Sequence, residues 1–178
     1  MEFNDVIQKR RSIRRYLDKE VPREYIEQML NASRLGETWK NSQTPRYHII
    51  TSQDMLKTFK ETCLPEFNQR NCANAPVIIV TTFVKNRAGF QRNGSPDNEL
   101  LNGWGIYDAG LNNQNLILKA TELGLGTLVM GIRDEKAIRN LLGIPAEETI
   151  ISVISVGYPD IDPEMPKRKS NEEIAKYY

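Results

Sequence analysis

Pro76-Val77-Ile78-Ile79-Val80-Thr81-Thr82-Phe83 is the stretch on which the fold turns. It is β-branched or aromatic at every position after the proline and shows no polar alternation. A strand that reads this way predicts burial on both faces, and so a sheet with helices packed on each side. Working outward toward the C-terminus, residues 85–98 are polar, glycine-containing and aperiodic, a surface loop of a length often used for lids. From Leu100 to Leu125 runs the longest helical pattern, with Ile106, Ala109, Gly110, Asn113, Leu116, Ile117, Ala120 and Leu123 on one row. A second row of Leu111, Gln114, Leu118 and Leu125 predicts burial on more than one side, at a domain centre or a subunit interface. Gly124-Leu125-Gly126 stops that helix, and Thr127 to Met130 reads as another buried strand. Asp134 caps a helix that ends at Gly143, and Ile150 to Val156 is the last strand, closed by Gly157-Tyr158-Pro159. A Pro- and Lys-rich tail follows, with a short polar helix from about Glu172 to Tyr177.

Toward the N-terminus, Tyr47 to Thr51 reads as a strand, and Thr51 with Asp54 has the spacing of a capping box for a helix through Met55, Leu56 and Phe59. Pro22 opens a helix that carries Ile26, Met29, Leu30 and Ser33 on one face, and Phe3, Val6 and Ile7 make a shorter one. The predicted class is α+β: a compact central sheet of four to five strands flanked by helices, in one domain over residues 1–178.

The bulk composition excludes several functions. Net charge is +1, with 26% charged and 39% hydrophobic residues, which lacks the broad basic face of a nucleic-acid or membrane-surface binder. No apolar stretch approaches membrane-spanning length and the first fifteen residues hold no apolar leader segment, so a cytoplasmic protein is expected. Two cysteines, Cys63 and Cys72, are too few for a disulfide framework. One histidine, His48, leaves no material for a histidine-rich metal site or a Ser-His-Asp triad, and it reads as a packed strand residue. The Glu147-Glu148 and Glu172-Glu173 pairs lie in polar stretches and read as solvated. Gly124-Leu125-Gly126 lies after a helix and before a strand, the reverse of a dinucleotide fingerprint, and there is no GxxxxGK phosphate loop.

Against this neutral background, Arg10-Arg11-Ser12-Ile13-Arg14-Arg15-Tyr16 concentrates four guanidinium groups around a hydroxyl. Arginine forks suit bidentate phosphate binding, whereas the plain alternative is a solvated helix end. A phosphate site with no evident catalytic side chain points to a cofactor that carries the chemistry itself.

The chain resembles the FMN-dependent nitroreductases over nearly its full length. Four separated segments carry the resemblance: Arg10, Arg11, Ser12 and Arg14; Asn41-Ser42-Gln43-Thr44-Pro45-Arg46; Ala120 to Thr127, leading into the strand to Gly131; and Val156-Gly157-Tyr158-Pro159, with Lys167, Arg168 and Lys169 ahead of Glu172-Glu173. The resemblance implies a homodimer with two FMN sites at the subunit interface. Arg10, Arg11, Ser12 and Arg14, with Lys167 and Arg168, would grip the phosphate and ribityl chain. Asn41, Ser42 and Gln43 would line the flavin from the partner subunit, Asn68 would face its pyrimidine edge, and the Met130-Gly131 backbone would approach N5. Hydride would pass from NADH or NADPH to flavin N5 and on to a small electron-poor acceptor, nitroaromatic or quinone-like, by a ping-pong route.

The chain departs from the family pattern in places. Leu35 to Lys40 replaces the usual Ala-Pro-Ser, and Thr44 intrudes before Pro45. Asn71 stands where some relatives carry a lysine, so the reduced flavin would lack a cation there unless one such as Arg70 substitutes. Residues 85–104, with Phe90 and Trp104, would take the place of a longer helical insertion over the acceptor, or form a plain surface loop. Alternatives are a reductase of another conjugated or halogenated compound on the same scaffold, and a flavin-binding store or sensor with little turnover.

Overall fold

A computed structural model describes residues 1–178. Four strands, β1 (Pro45–Ile50), β2 (Val77–Val84), β3 (Gly126–Met130) and β4 (Glu148–Gly157), form one sheet in the order β1-β2-β4-β3, every neighbour antiparallel. The two central strands are rich in valine and isoleucine, and seven consecutive residues of β2 are buried. Because side chains alternate across a strand, β2 feeds two cores. Val77 and Ile79 pack with Ile26 and Met29 of α2 (Arg23–Ser33) and Leu116, Ile117 and Ala120 of α5 (Gly103–Glu122). Ile78 and Val80 pack on the other face with Leu56, Phe59 and Cys63 of α3 (Gln53–Cys63) and Ile138 of α6 (Glu135–Leu142). The remaining helices are α1 (Phe3–Lys9), α4 (Glu66–Asn71) and α7 (Asn171–Ile174).

The arginine-rich segment continues the sheet beyond β3. Ser12 makes a parallel bridge to Thr127, and the Ile13 N–H donates to the Thr127 carbonyl at 2.9 Å. Ile13 and Tyr16 enter the core, where the Tyr16 hydroxyl, 2% exposed, donates to the Ile13 carbonyl at 2.9 Å and lies 2.9 Å from Ser155 Oγ. Two glycines permit this close approach: a Cβ on Gly126 would fall 2.4 Å from Ile13 Cγ1, and one on Gly157 would fall 2.9 Å from Tyr16 Cδ1.

Several sequence expectations need correction. The N-cap of α3 is Ser52 and no side chain caps it, so Thr51 and Asp54 form no capping box. Glu66 to Asn71 form α4, a helix absent from the sequence reading, opened by Pro65 at its N-cap. The final helix is shorter than expected and carries the capping box of Ser170 and Glu173. Glu148 is not solvated: its carboxylate is 12% exposed, 2.8 Å from His48 Nε2, and accepts the Thr82 hydroxyl. Burial opposes its charge, yet the Thr82 and His48 hydrogen bonds hold its carboxyl below the usual range. The outer row of α5 is open in the protomer, with Ile106, Tyr107 and Leu111 exposed.

Candidate active site

The site begins at the seam between β3 and the arginine segment. Tethering of Ile13 to Thr127 sorts the arginines into two groups. Arg11 turns back: its guanidinium donates to the carbonyls of Gln8, Arg10 and Pro163. Arg15 pairs with Asp160 at 2.8 Å. Arg10, Ser12 and Arg14 are left free for a ligand, Arg14 touching only the Ser12 carbonyl at 3.5 Å. Burial and the neighbouring charges of Arg168 and Arg11 push the Arg10 pKa down, so cations 158 residues apart in the chain converge here. None of Arg10, Arg11, Arg14, Lys167 or Arg168 takes part in an ion pair. Unpaired guanidinium groups near one another suit an anion of more than one charge.

The opposite end of β3 carries Met130 and Gly131, roughly 13 Å from Thr127 at the ordinary rise of a strand. Met130 is buried and Gly131 exposed. A Cβ added at Gly131 would meet no protein atom, so packing does not demand glycine there. Asn68, 5% exposed, projects from α4 toward this turn and donates its amide to the Ile132 carbonyl at 2.9 Å. Asn71 lies in the last turn of α4, half-buried. Arg70 does not replace the cation that Asn71 lacks, because it pairs with Glu66 on its own helix and is largely exposed.

Asn41, Ser42 and Gln43 are not brought to the rest of the site within one protomer. Their segment is mounted near the start of α5, whereas the arginine seam lies past its end, about 20 Å away along the helix axis. The segment is strained: Lys40, Asn41 and Gln43 have φ of 47°, 53° and 48°, which non-glycine residues rarely adopt together. Two residues one turn apart on α5 hold it, Asn112 donating to the Glu37 carbonyl at 3.1 Å and Asp108 accepting the Trp39 N–H at 2.9 Å. Burial pushes the Asp108 carboxyl up, against the Trp39 N–H that favours its charge. Ser42 Oγ and Thr44 Oγ1 are buried without a partner.

The 85–104 loop closes over the same segment. Asp97 Oδ2 accepts both Trp39 Nε1 at 3.1 Å and Lys40 Nζ at 2.8 Å, and the Trp39 and Trp104 rings lie 4.2 Å apart. Ala88 and Gly89 are buried, so part of this loop is packed structure. Sequence reasoning missed Asp97, Asp108 and Arg133, three charged residues whose partners lie far off in the chain or on a backbone turn. No spacing pattern signals such contacts.

The nitroreductase-family profile matches residues 7–69 and 61–158. A protein of Methanothermobacter thermautotrophicus named "Putative NADH dehydrogenase/NAD(P)H nitroreductase" is 30% identical over 92% of this chain and 80% of its own length. Mouse iodotyrosine deiodinase 1 is 25% identical over 97% of this chain and 68% of its own. Among solved structures, a Desulfovibrio desulfuricans protein described as a "putative nitroreductase in complex with FMN" superposes with a TM-score of 0.77 at 23% identity, covering 99% of this chain and 96% of that one.

Proposed function

Because the chain belongs to the nitroreductase family, we propose that residues 1–178 act as one FMN-binding domain of an oxidoreductase, which uses NADH or NADPH to reduce a small, flat, electron-poor acceptor such as a nitroaromatic or quinone. The observation that carries this reading is the convergence of unpaired Arg10 and Arg168 beside a strand whose far end presents a glycine that packing does not require. The residues fit the cofactor. A phosphate and a ring joined by a five-carbon chain match a cationic seam and an open glycine at the two ends of β3. When bound, FMN supplies two-electron transfer from the nicotinamide to the acceptor in two successive half-reactions.

The chain's own residues bind and orient. Arg10, Ser12 and Arg14, with Lys167 and Arg168, would hold the phosphate, while Arg11 braces the seam through backbone carbonyls. Asn71 and the Met130-Gly131 backbone would face the ring, and Asn68, its Nδ2 held by the Ile132 carbonyl, would offer the ring edge only its carboxamide oxygen. Asn41, Ser42 and Gln43 of a second copy would complete the site, which makes the homodimer a functional requirement. Their separation from the arginine seam along α5 supports that arrangement. So do the exposed Phe3 and Ile7 of α1 and the exposed Ile106, Tyr107 and Leu111 of α5. Trp39 and Trp104 would wall the acceptor side and keep water from it. No helix is long and apolar enough to cross a membrane. The likeness to iodotyrosine deiodinase supports a second reading, a reductase of a halogenated aromatic on the same site.

An absorbance spectrum before and after anaerobic NADH or NADPH tests the proposal. Flavin bands that bleach support the oxidoreductase. A stable yellow protein favours a flavin store, and a colourless protein that ignores added FMN refutes the reading. The Arg10→Ala/Arg14→Ala variant should fold and lose FMN; stoichiometric FMN in that variant would refute the phosphate assignment.

A further inference from the structure

The turn after β3 is held from one side only. The Gly131 carbonyl accepts Arg133 Nη1 at 3.1 Å, the Ile132 carbonyl accepts Asn68 Nδ2 at 2.9 Å, and the Asp134 N–H donates to the Cys63 carbonyl at 2.9 Å. A trans peptide points its C=O and N–H in opposite directions. Fixing the carbonyls of Gly131 and Ile132 therefore aims the N–H groups of Ile132 and Arg133 the other way. Those two amides appear in none of the chain's backbone hydrogen bonds outside helices and strands.

Arg133 is an unusual means of holding a turn. Its Nη2 donates to the Ile150 carbonyl on β4, so one guanidinium ties the turn to the sheet through two carbonyls. Its Nε is buried with no partner. No carboxylate neutralises it: Asp134 spends an oxygen on the Ala137 N–H that caps α6, and Glu135 pairs with Arg139. A half-buried cation with an orphaned donor is costly, and a protein retains such a group where its geometry is needed. Arginine alone offers two parallel donors on a rigid plane, which a lysine cannot reproduce.

We propose that Arg133 is a positioning residue, which with Asn68 clamps the Gly131–Ile132 peptides so that the Ile132 and Arg133 amides face the redox cofactor's ring. The assignment rests on the FMN reading above. It makes the strand end a preorganised pair of backbone donors, held by an electrostatic clamp on its inner side.

The test uses the FMN-loaded protein and Arg133→Met, with Arg133→Lys as the conservative variant. Arg133→Met should retain FMN through the intact phosphate seam. It should also shift the flavin midpoint potential and slow flavin reduction by NADH at saturation at least tenfold, with a smaller change in half-saturation. Arg133→Lys should recover part of the rate. A merely structural role predicts lower thermal stability with unchanged potential and saturating rate, and that outcome overturns the proposal. A second measurement does not depend on how the variants fold. Hydrogen exchange of the Ile132 and Arg133 amides in the wild-type protein should slow at least tenfold when FMN is added to the apoprotein. Unchanged exchange with FMN demonstrably bound would overturn the clamp alone. A wild-type protein that binds no FMN would overturn the FMN reading and the clamp with it.

Discussion

Replacing Gly126 with alanine should loosen the arginine seam without touching any residue proposed to hold the cofactor. Gly126 has an ordinary backbone conformation, so the perturbation is one of contact alone. The added Cβ would lie 2.4 Å from Ile13 Cγ1, 2.9 Å from Ile13 Cβ and 3.0 Å from Pro159 Cγ. Carbon atoms pack at about 3.5–4.0 Å, so Ile13 has to retreat by roughly 1 Å. Ile13 is 5% exposed and packed within the core cluster, so its retreat displaces neighbouring side chains. Overpacking of this kind costs about 1–3 kcal/mol. The easiest escape moves residues 12–14 away from β3 and weakens the Ile13–Thr127 hydrogen bond, a further loss of about 1 kcal/mol. With a urea slope of about 2 kcal/mol per molar, the denaturation midpoint should fall by about 1–2 M. Displacement of Arg10, Ser12 and Arg14 should weaken FMN retention in parallel, read by flavin fluorescence on dilution. Combining the change with Ile13→Ala removes the closest atom. The cavity left by Ile13→Ala costs about 2–4 kcal/mol by itself, but the pair should cost about 1–2 kcal/mol less than the sum of the singles. A stable, FMN-tight Gly126→Ala protein, or strictly additive singles, would refute the reasoning.

Three other outcomes are expected. Gly105→Ala would place a Cβ 2.2 Å from Phe83 Cδ2 in the core, so the thermal midpoint should drop by about 5–10 °C; an unchanged melting curve would contradict the packing. Burial pushes the Cys72 thiol up to about 11 from an ordinary 9.0, so the folded state holds a proton that the unfolded chain releases. Stability should therefore fall as pH rises from 9 toward 11, and Cys72→Ala should remove that part of the slope in urea titrations. Asp108 is raised, so acidification through its titration range should favour the folded state. Asp108→Asn should lose that pH dependence and keep the Trp39 N–H bonded, whereas Asp108→Leu should destabilise, both measured by thermal melts across pH.

The sheet was legible because its signals are local. β2 is a continuous run of β-branched and aromatic residues, β4 carries Ile150, Ile151, Val153, Ile154 and Val156, and α6 begins at Asp134, whose Oδ1 accepts the Ala137 N–H, and ends at Gly143 with φ of 63°. The failures are also local in origin. The spacing of Thr51 and Asp54 matched a capping box, but α3 starts after Ser52 with no side-chain cap, and α4 is too short to show a period. Glu148 looked solvated because its partners are on other strands: Thr82 on β2 and His48 on β1.

The candidate site divides in the same way. The order of the four family segments pointed to the arginine seam, the Gly131 turn and the tail cations as candidates, because each is a short run with its own composition. Sequence alone could not separate Arg10 and Arg14 from Arg11, which the family segment grouped with them. That sorting follows from the tether of Ile13 to Thr127 and from carbonyls supplied as far away as Pro163. The clamp by Arg133, the mounting of the strained 40–43 segment on Asp108 and the latch of Asp97 on Trp39 and Lys40 likewise arise only on folding. Composition and periodicity along the chain determine which segments form and which of their faces seek burial. Which charged group meets which backbone atom depends on how those segments pack, and only the tertiary structure decides that.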